Sequence, residues 1–325
     1  MAKPSVYVTR VIPDQGPDRL RDVCEVRVWQ DDLPVPPDVL RRELAEAEGL
    51  LCLLSDPIRA DLIDATPKLR VISQMAVGYD NIDLPAATAR GIPVGHTPGA
   101  LTETTADFAF TLLMAAARRV SEAERFVRDG KWKTWGPMLL MGQDVYGATL
   151  GIIGLGRIGM AVARRARGFE MRVLYHGGDD QAAREIGAEP RALDDLLRES
   201  DFISLHVPLT PDTVGMIGTD AFKLMKPDAI VINAARGAVI DQRALYDALA
   251  SGAIRYAALD VTDPEPIPMD DPLLTLDNCL IVPHIASSSV KTRTRIAVMA
   301  ADNLLAGLRG ERLPHCANPA VYEQG

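Results

Sequence analysis

Short runs of β-branched and other apolar residues alternate along this chain with longer stretches whose apolar positions recur at helical spacing. Strands are predicted near residues 5–9, 25–29, 49–54, 70–74 and 93–95, with helical stretches such as 38–47 and 83–90 between them. A second series of strands is predicted near 149–153, 172–175, 201–207, 229–233, 256–261 and 280–282. Strands separated by helices need crossover connections, so each series predicts a parallel, doubly wound α/β sheet with helices on both faces. One long helix is predicted over 103–128, capped by Thr102 and closed at Gly130. A second begins after residues 287–289 and runs to about Arg309, stopped by Gly310; Ile296, Met299, Leu304 and Leu308 fall mostly on one of its faces. If that helix returns to the first sheet, the first domain is discontinuous. The expected division is 1–99, 100–288 and 289–325, with a cleft where strand carboxyl ends of the two domains converge.

Composition narrows the class. The chain has 325 residues, 47% of them apolar and 24% charged, which fits two domains with real cores and excludes a disordered protein. A formal charge of −9 with no basic block argues against a nucleic-acid backbone or an anionic membrane as partner. Cys24, Cys52, Cys279 and Cys316 lie far apart, the pattern of reduced thiols in a cytoplasmic protein. The N-terminus carries no apolar leader, and no apolar run is long enough to span a bilayer.

The sharpest local signal is Gly154, Leu155, Gly156, Arg157, Ile158 and Gly159, a G-x-G-x-x-G placed directly after a buried strand and before a helix of small residues. The three glycines would serve separately for a tight turn, for close approach of a pyrophosphate, and for close helix–sheet packing. The free N–H groups of the helix start would face the phosphates. Dinucleotide binding is the leading reading, with methyl-donor nucleosides as competitor. The next strand ends at His176, Gly177, Gly178, Asp179 and Asp180, with Gly177 where a ribose-binding acid normally sits. No arginine follows to pair with a 2′-phosphate, and two carboxylates would repel one, which favours NAD(H) over NADP(H). A solvated turn without any ligand contact fits the same residues.

Three loops after strands carry candidate chemistry. Arg236 lies in the loop from Asn233 to Gly237, Glu265 in an acidic loop stiffened by Pro264 and Pro266, and His284 just past a strand end. A reduction by NADH needs a cation to orient a carboxylate and polarise a carbonyl, and an acid to protonate the new alkoxide. An arginine fork suits the first role and an imidazole the second. A carboxylate neighbour would fix the ring and favour its protonated form. Taken singly, each residue also reads as an ordinary strand-end or loop side chain; together, on one sheet with the glycine loop, they form a site. His96, His176, His206 and His315 have no metal-ligand spacing and read as structural, and no metal is expected.

These residues resemble the D-isomer-specific 2-hydroxyacid dehydrogenases, and within them the glyoxylate/hydroxypyruvate reductase branch. The likeness runs through residues 51–56, 71–81, 96–99 and 104–107, the glycine loop, Ala235-Arg236-Gly237, residues 259–266, Pro283-His284-Ile285 and residues 303–311. Residues 131–135 and 273–278 look most like that branch. The resemblance implies a flavodoxin-like substrate domain built from both chain ends, a central Rossmann domain, and a homodimer formed largely through the latter. It implies that Arg236 holds the substrate carboxylate, that His284 donates the proton, and that Glu265 partners His284. Backbone N–H groups of Val77 and Gly78 would complete the carboxylate seat, with Leu54 and Ser55 near the substrate side chain. Asp260 and the backbone at Ala234 and Ala235 would orient the nicotinamide amide. Residues 155–158, Val207, Pro208 and Thr213 would contact the rest of the cofactor, with Gly177 and Gly178 at the ribose, and Thr105 near the nicotinamide. The family usually has glycine directly after His-Ile, where this chain has Ala286. Trp132 and Trp135 would belong to a dimer arm, or pack under their own loop.

The implied activity is NAD(P)H-dependent reduction of a small 2-oxo acid, glyoxylate to glycolate or hydroxypyruvate to D-glycerate. A D-lactate-type enzyme is the alternative within the family. An NADH-sensing, corepressor-like binding protein is the alternative of another class, disfavoured by the lack of a long disordered tail.

Overall fold

A computed structural model describes residues 2–323 of the chain, so Met1, Gln324 and Gly325, at the ends of the expected segments, lie outside the described residues. The chain divides into two compact units, Met1–Leu101 with Ser288–Gly325, and Thr102–Ser287.

In the first unit the strands β1 (Ser5–Val8), β2 (Glu25–Val28), β3 (Gly49–Cys52), β4 (Val71–Gln74) and β5 (Val94–Gly95) form a parallel sheet in the order β2-β1-β3-β4-β5. That is the flavodoxin order. Helices α1 (Gln15–Arg21), α2 (Pro37–Leu44), α3 (Ala60–Asp64) and α4 (Leu84–Ala89) connect the strands. β3 and β4 are buried along their whole length, β3 as an unbroken apolar run and β4 closing on the buried polar residues Ser73 and Gln74, whereas edge strand β2 alternates, exposing Glu25 and Arg27. Period-two alternation splits the core between the faces: Val6 and Val8 pack with Leu51 and Val71 on one side, Tyr7 with Leu50, Cys52 and Ile72 on the other.

The second unit opens with α5 (Thr102–Ala117) and α6 (Val120–Arg128). A single helix over 103–128 is therefore incorrect. Arg119 takes a left-handed conformation (φ 52°), and the returning chain satisfies the end of α5 through Gln143 N–H to Ala117 O at 2.8 Å. The Arg119 guanidinium then binds Glu122 at 2.7 Å, so the break is held by a local ion pair that hydrophobic periodicity does not register. The expected stop at Gly130 is present, with φ 67°.

Strands β6 (Thr149–Leu155), β7 (Arg172–Gly178), β8 (Glu189–Pro190), β9 (Phe202–Leu205), β10 (Ile230–Asn233), β11 (Tyr256–Leu259) and β12 (Cys279–Ile281) form the second parallel sheet, ordered β12-β11-β10-β9-β6-β7-β8. Helices α7 (Arg157–Ala166), α8 (Asp180–Glu185), α9 (Leu193–Glu199), α10 (Thr219–Leu224) and α11 (Gln242–Ser251) link them. The order reverses between β6 and β9, the switch point at which ligands of such sheets bind. β7 runs to Gly178 instead of stopping at residue 175, because Leu155 still pairs with Gly178. β8 escapes prediction because it is two residues long and ends in a proline, at the sheet edge.

The second long helix, α12 (Val290–Leu308), is capped by Ser289, whose hydroxyl oxygen accepts the Thr292 N–H at 3.3 Å. It returns to the first sheet, where Ile296, Ala300 and Leu304 complete the core beside Val6 and Val71. Ser73 donates to Ala300 O at 2.8 Å and Arg70 to Leu308 O at 2.7 Å, fastening helix to strand. Among the described residues no helix is long and apolar enough to cross a membrane.

Candidate active site

Apart from Thr105, which lies in α5, the candidates of the second unit follow the carboxyl ends of parallel strands: the glycine loop at the end of β6, Gly177 and Gly178 at the end of β7, Val207, Pro208 and Thr213 after β9, Arg236 after β10, Glu265 after β11 and His284 after β12. Adjacent strands β10, β11 and β12 thus present arginine, carboxylate and imidazole side by side along one rim.

The glycine loop can be tested atom by atom. Gly154 has φ 94°, and a Cβ there would lie 2.8 Å from the His206 carbonyl and 2.9 Å from Val207. A Cβ on Gly159 would lie 2.4 Å from Gly154 O, so helix and turn pack too closely for a side chain. Gly156 differs: an added Cβ would meet nothing within 4 Å, and its surface is exposed. Gly156 also caps α7 without a side chain to occupy the first N–H groups. Two glycines are required by the protein itself, while the third leaves open space in front of free donors. That is a cradle for an anionic group, and the residues fit a dinucleotide pyrophosphate. Arg157 and Ile158 open α7, and Leu155 is buried in the strand below.

At the end of β7, Gly177 (φ 70°) faces open space, while Gly178 lies against Leu155, where a Cβ would come within 2.7 Å. The following acids are both engaged. Asp179 accepts the Gln181 N–H at 2.8 Å and caps α8, and Asp180 accepts from Tyr175 Oη at 2.5 Å. That hydrogen bond pushes the Tyr175 phenol up to about 12. The Thr213 hydroxyl donates to Pro208 O at 2.7 Å and accepts the Thr210 N–H at 2.8 Å, closing the loop after β9. Thr105 is buried within α5.

Asn233, fully buried at the end of β10, shapes the arginine loop. Its amide donates to Arg236 O at 2.9 Å and its carbonyl accepts the Ala235 N–H at 3.0 Å, leaving Ala234 between strand and loop. Beyond Arg236, Gly237 passes so close to Thr262 O that a Cβ would be 2.0 Å away. Sequence reasoning gives Asn233 no role of its own; the signal is a polar residue closing an apolar strand.

His284 has φ 52°, a left-handed conformation that costs a non-glycine residue about 1–2 kcal/mol. Asp260 holds it there. Its backbone carbonyl accepts the His284 N–H at 2.9 Å, and its two carboxylate oxygens accept Ile285 N–H at 2.7 Å and Ala286 N–H at 2.9 Å. Three consecutive amides thus end on one aspartate. Burial raises the Asp260 carboxyl, opposed by those two amide donors. The left-handed angle falls on His284, not on Ala286, which is buried with an ordinary φ and has no need of glycine. The turned backbone presents the imidazole to Glu265, with Nδ1 2.6 Å from Oε1. A carboxylate only accepts, so Nδ1 carries the proton, and Nε2 points away from Glu265 as the ring's second functional atom. Glu265 stands between two cis X–Pro bonds, Asp263–Pro264 and Glu265–Pro266. Thr262 donates to Pro264 O at 2.9 Å, and Gln242 accepts the Asp263 N–H at 3.0 Å, bracing the loop from both sides.

His206, read from sequence as structural, lies beneath Gly154. Its Nε2 is 2.8 Å from Ser204 Oγ, its Nδ1 is sealed from solvent without a hydrogen-bond partner, and burial lowers the imidazole to about 4.

In the first unit Leu54 and Ser55 are exposed after β3, and Val77 and Gly78 are half-buried after β4. Trp132 and Trp135 are 59% and 77% exposed, so neither is buried beneath its own loop.

The family model for the D-isomer-specific 2-hydroxyacid dehydrogenase NAD-binding domain matches residues 110–286. The chain is 54% identical over 324 residues to a glyoxylate reductase of Korarchaeum cryptofilum, covering 99% of this chain and 98% of that one. Among solved structures, a Thermus thermophilus protein superposes with a TM-score of 0.91 at 46% identity, over 96% and 99% of the two chains. The NADPH-dependent glyoxylate/hydroxypyruvate reductase of Sinorhizobium meliloti, solved with NADP and malonate, gives 0.85 at 31% identity, over 98% of each. With its glycine cradle, its two parallel sheets and its near-complete overlap with these proteins, the chain belongs to the D-isomer-specific 2-hydroxyacid dehydrogenases, enzymes that use a nicotinamide cofactor.

Proposed function

We propose that the protein is a glyoxylate/hydroxypyruvate reductase in which Arg236, Glu265 and His284 act on the substrate. The observation that carries this reading is the 2.6 Å contact between His284 Nδ1 and Glu265, on a backbone turn that Asp260 holds in a left-handed conformation. The Arg236 guanidinium binds the substrate carboxylate through its planar fork and polarises the neighbouring carbonyl. In the first unit, taken by itself, the backbone N–H groups of Val77 and Gly78 are the proposed donors to a substrate carboxylate, with Leu54 and Ser55 exposed after the adjacent strand as candidates to meet the substrate side chain. The Gly154–Gly159 loop and the first N–H groups of α7 hold the cofactor pyrophosphate. Val207, Pro208, Thr213 and Thr105 line its remaining length, with Ala234, Ala235, Asp260 and Ala286 near the nicotinamide end. When bound, the nicotinamide supplies the hydride. His284 gives the Nε2 proton to the oxygen that becomes the hydroxyl, and Glu265 stabilises the imidazolium before transfer by accepting the Nδ1–H.

NADH is the favoured reductant. Asp179 and Asp180 keep two carboxylates at the end of β7, where a 2′-phosphate would lie, and Gly177 supplies no cation there. The active form is a homodimer: α6 buries none of its residues, and Trp132, Trp135, Met138, Met141 and Tyr146 are all exposed in the segment after it. A second copy of the same segment would cover these apolar side chains. A cytoplasmic location is supported by the four dispersed cysteines, which have the spacing of reduced thiols.

The test is oxidation of NADH and NADPH against glyoxylate, hydroxypyruvate, pyruvate and phenylpyruvate. The expected result is highest kcat/KM with glyoxylate or hydroxypyruvate and NADH. Preference for phenylpyruvate would contradict a small substrate, and preference for NADPH would contradict the role given to the two aspartates.

A further inference from the structure

The substrate seat of the first unit consists of backbone, and a peptide N–H points wherever its plane is held. The peptide that carries the Gly78 N–H also carries the Val77 carbonyl, and the two are fixed antiparallel by planarity. That carbonyl is 3.0 Å from His96 Nδ1. A carbonyl only accepts, so Nδ1 is the donor and the ring sits in the tautomer, or the cation, that carries a proton there. The preceding peptide, which carries the Val77 N–H, is pinned the same way: Ala76 O accepts the Thr97 N–H at 2.9 Å. On the far side Gly78 O accepts from the Gln74 amide at 3.3 Å. Both N–H groups of the seat are thus aimed from residues 96 and 97, through backbone at Thr97 and through a side chain, the imidazole, at His96.

The ring is itself held. Tyr79 packs edge-on against it, with centroids 5.3 Å apart and planes at 81°. The His96 backbone is tied at both ends, its N–H to His315 O at 3.1 Å and its carbonyl to the amide of fully buried Asn303 at 2.9 Å. Such support is unnecessary for a ring that only fills space. It is what a donor needs if it must keep one peptide plane from rocking.

We infer that His96 is a positioning residue for the substrate carboxylate, acting through the 77–78 peptide to aim the Gly78 N–H; this rests on the seat proposed above. His96 touches neither substrate nor cofactor in this account. Its loss therefore weakens 2-oxo acid binding and leaves the chemical step and the cofactor intact.

The experiment compares His96→Phe, which keeps a ring against Tyr79 but loses the donor, with His96→Asn, whose amide nitrogen can take the place of Nδ1. His96→Leu substitutes for the phenylalanine variant should the larger ring impair folding. Steady-state kinetics with glyoxylate and NADH are combined with fluorescence titration of NADH. The phenylalanine variant is expected to raise KM for glyoxylate about tenfold, the effect of one misdirected hydrogen bond to a charged group. Its kcat should stay within threefold, its NADH affinity should not change, and the asparagine variant should recover most of the lost KM. An unchanged KM in the phenylalanine variant, or equal losses in kcat, KM and NADH affinity with no rescue by asparagine, would overturn the inference. Arg236→Lys run in parallel separates the two levels. If that variant raises KM while His96→Phe does not, the role of His96 fails alone; if neither does, the seat itself is misassigned.

Discussion

At the scale of single residues, the site works through atoms whose freedom has been removed. Arg236 leaves a loop fixed by a buried asparagine amide, and its guanidinium donates to Ala235 O at 2.9 Å; the proposed function gives that fork the substrate carboxylate. Lysine would keep the charge and lose the paired donors. Arg236→Lys is therefore expected to raise KM for glyoxylate tenfold or more, about 1.4 kcal/mol or above, with NADH affinity unchanged; steady-state kinetics and a binding titration check both. Gly156 offers a different experiment, because its Cβ position is empty. Gly156→Ala should fold with a melting temperature near that of the parent. The added methyl intrudes where a pyrophosphate would lie, an overpacking cost of about 1–3 kcal/mol, or roughly tenfold to a hundredfold in NADH affinity. Unaltered NADH affinity would place the phosphates elsewhere. Part of this scale was legible in sequence: Gly154, Gly156 and Gly159 stand out by type and spacing, whereas Arg236, Glu265 and His284 stand out only as a set, each in a loop after a strand of the same sheet. The roles of Asn233 and Asp260 as braces were not legible, since both are bonds to backbone atoms two to twenty-six positions away.

At the scale of elements, strands were easier to read than helices. Buried parallel strands are apolar on both faces and bounded by glycine or polar residues, so eleven of them could be placed from the sequence, with only two-residue β8 missed. The break between α5 and α6 was hidden because its causes, the left-handed Arg119 and the Gln143 bond to Ala117, leave the apolar periodicity undisturbed. The turn after β9 carries a prediction about stability. His206 is held near 4 by burial, against 6.5 in the open chain. The unfolded chain therefore takes up this proton first as pH falls, so the stabilisation is complete above about 6.5 and is lost as pH falls towards 4. The slope approaches about 1.4 kcal/mol per pH unit. Chemical denaturation of wild type and His206→Asn between pH 7 and 4.5 should show the wild type losing stability relative to the variant. Parallel curves would mean that the imidazole is not the titrating group.

At the scale of the whole molecule, the unit Thr102–Ser287 carries the glycine loop together with Arg236, Glu265 and His284, and the proposed function gives the other unit a backbone seat for the substrate carboxylate. The exposed apolar face after α6 belongs to the first of these, and Trp135→Glu with Met138→Glu is expected to convert a dimer to a monomer by sedimentation equilibrium. A dimer that persists would place the contact on another face. The central claim is that His284, poised by Glu265, protonates the developing alkoxide. It is tested most directly by single-turnover oxidation of bound NADH with saturating glyoxylate in wild type and His284→Gln. A fall in rate of about 10²–10⁴ with undiminished NADH binding is the predicted result, and an unchanged rate would contradict the mechanism.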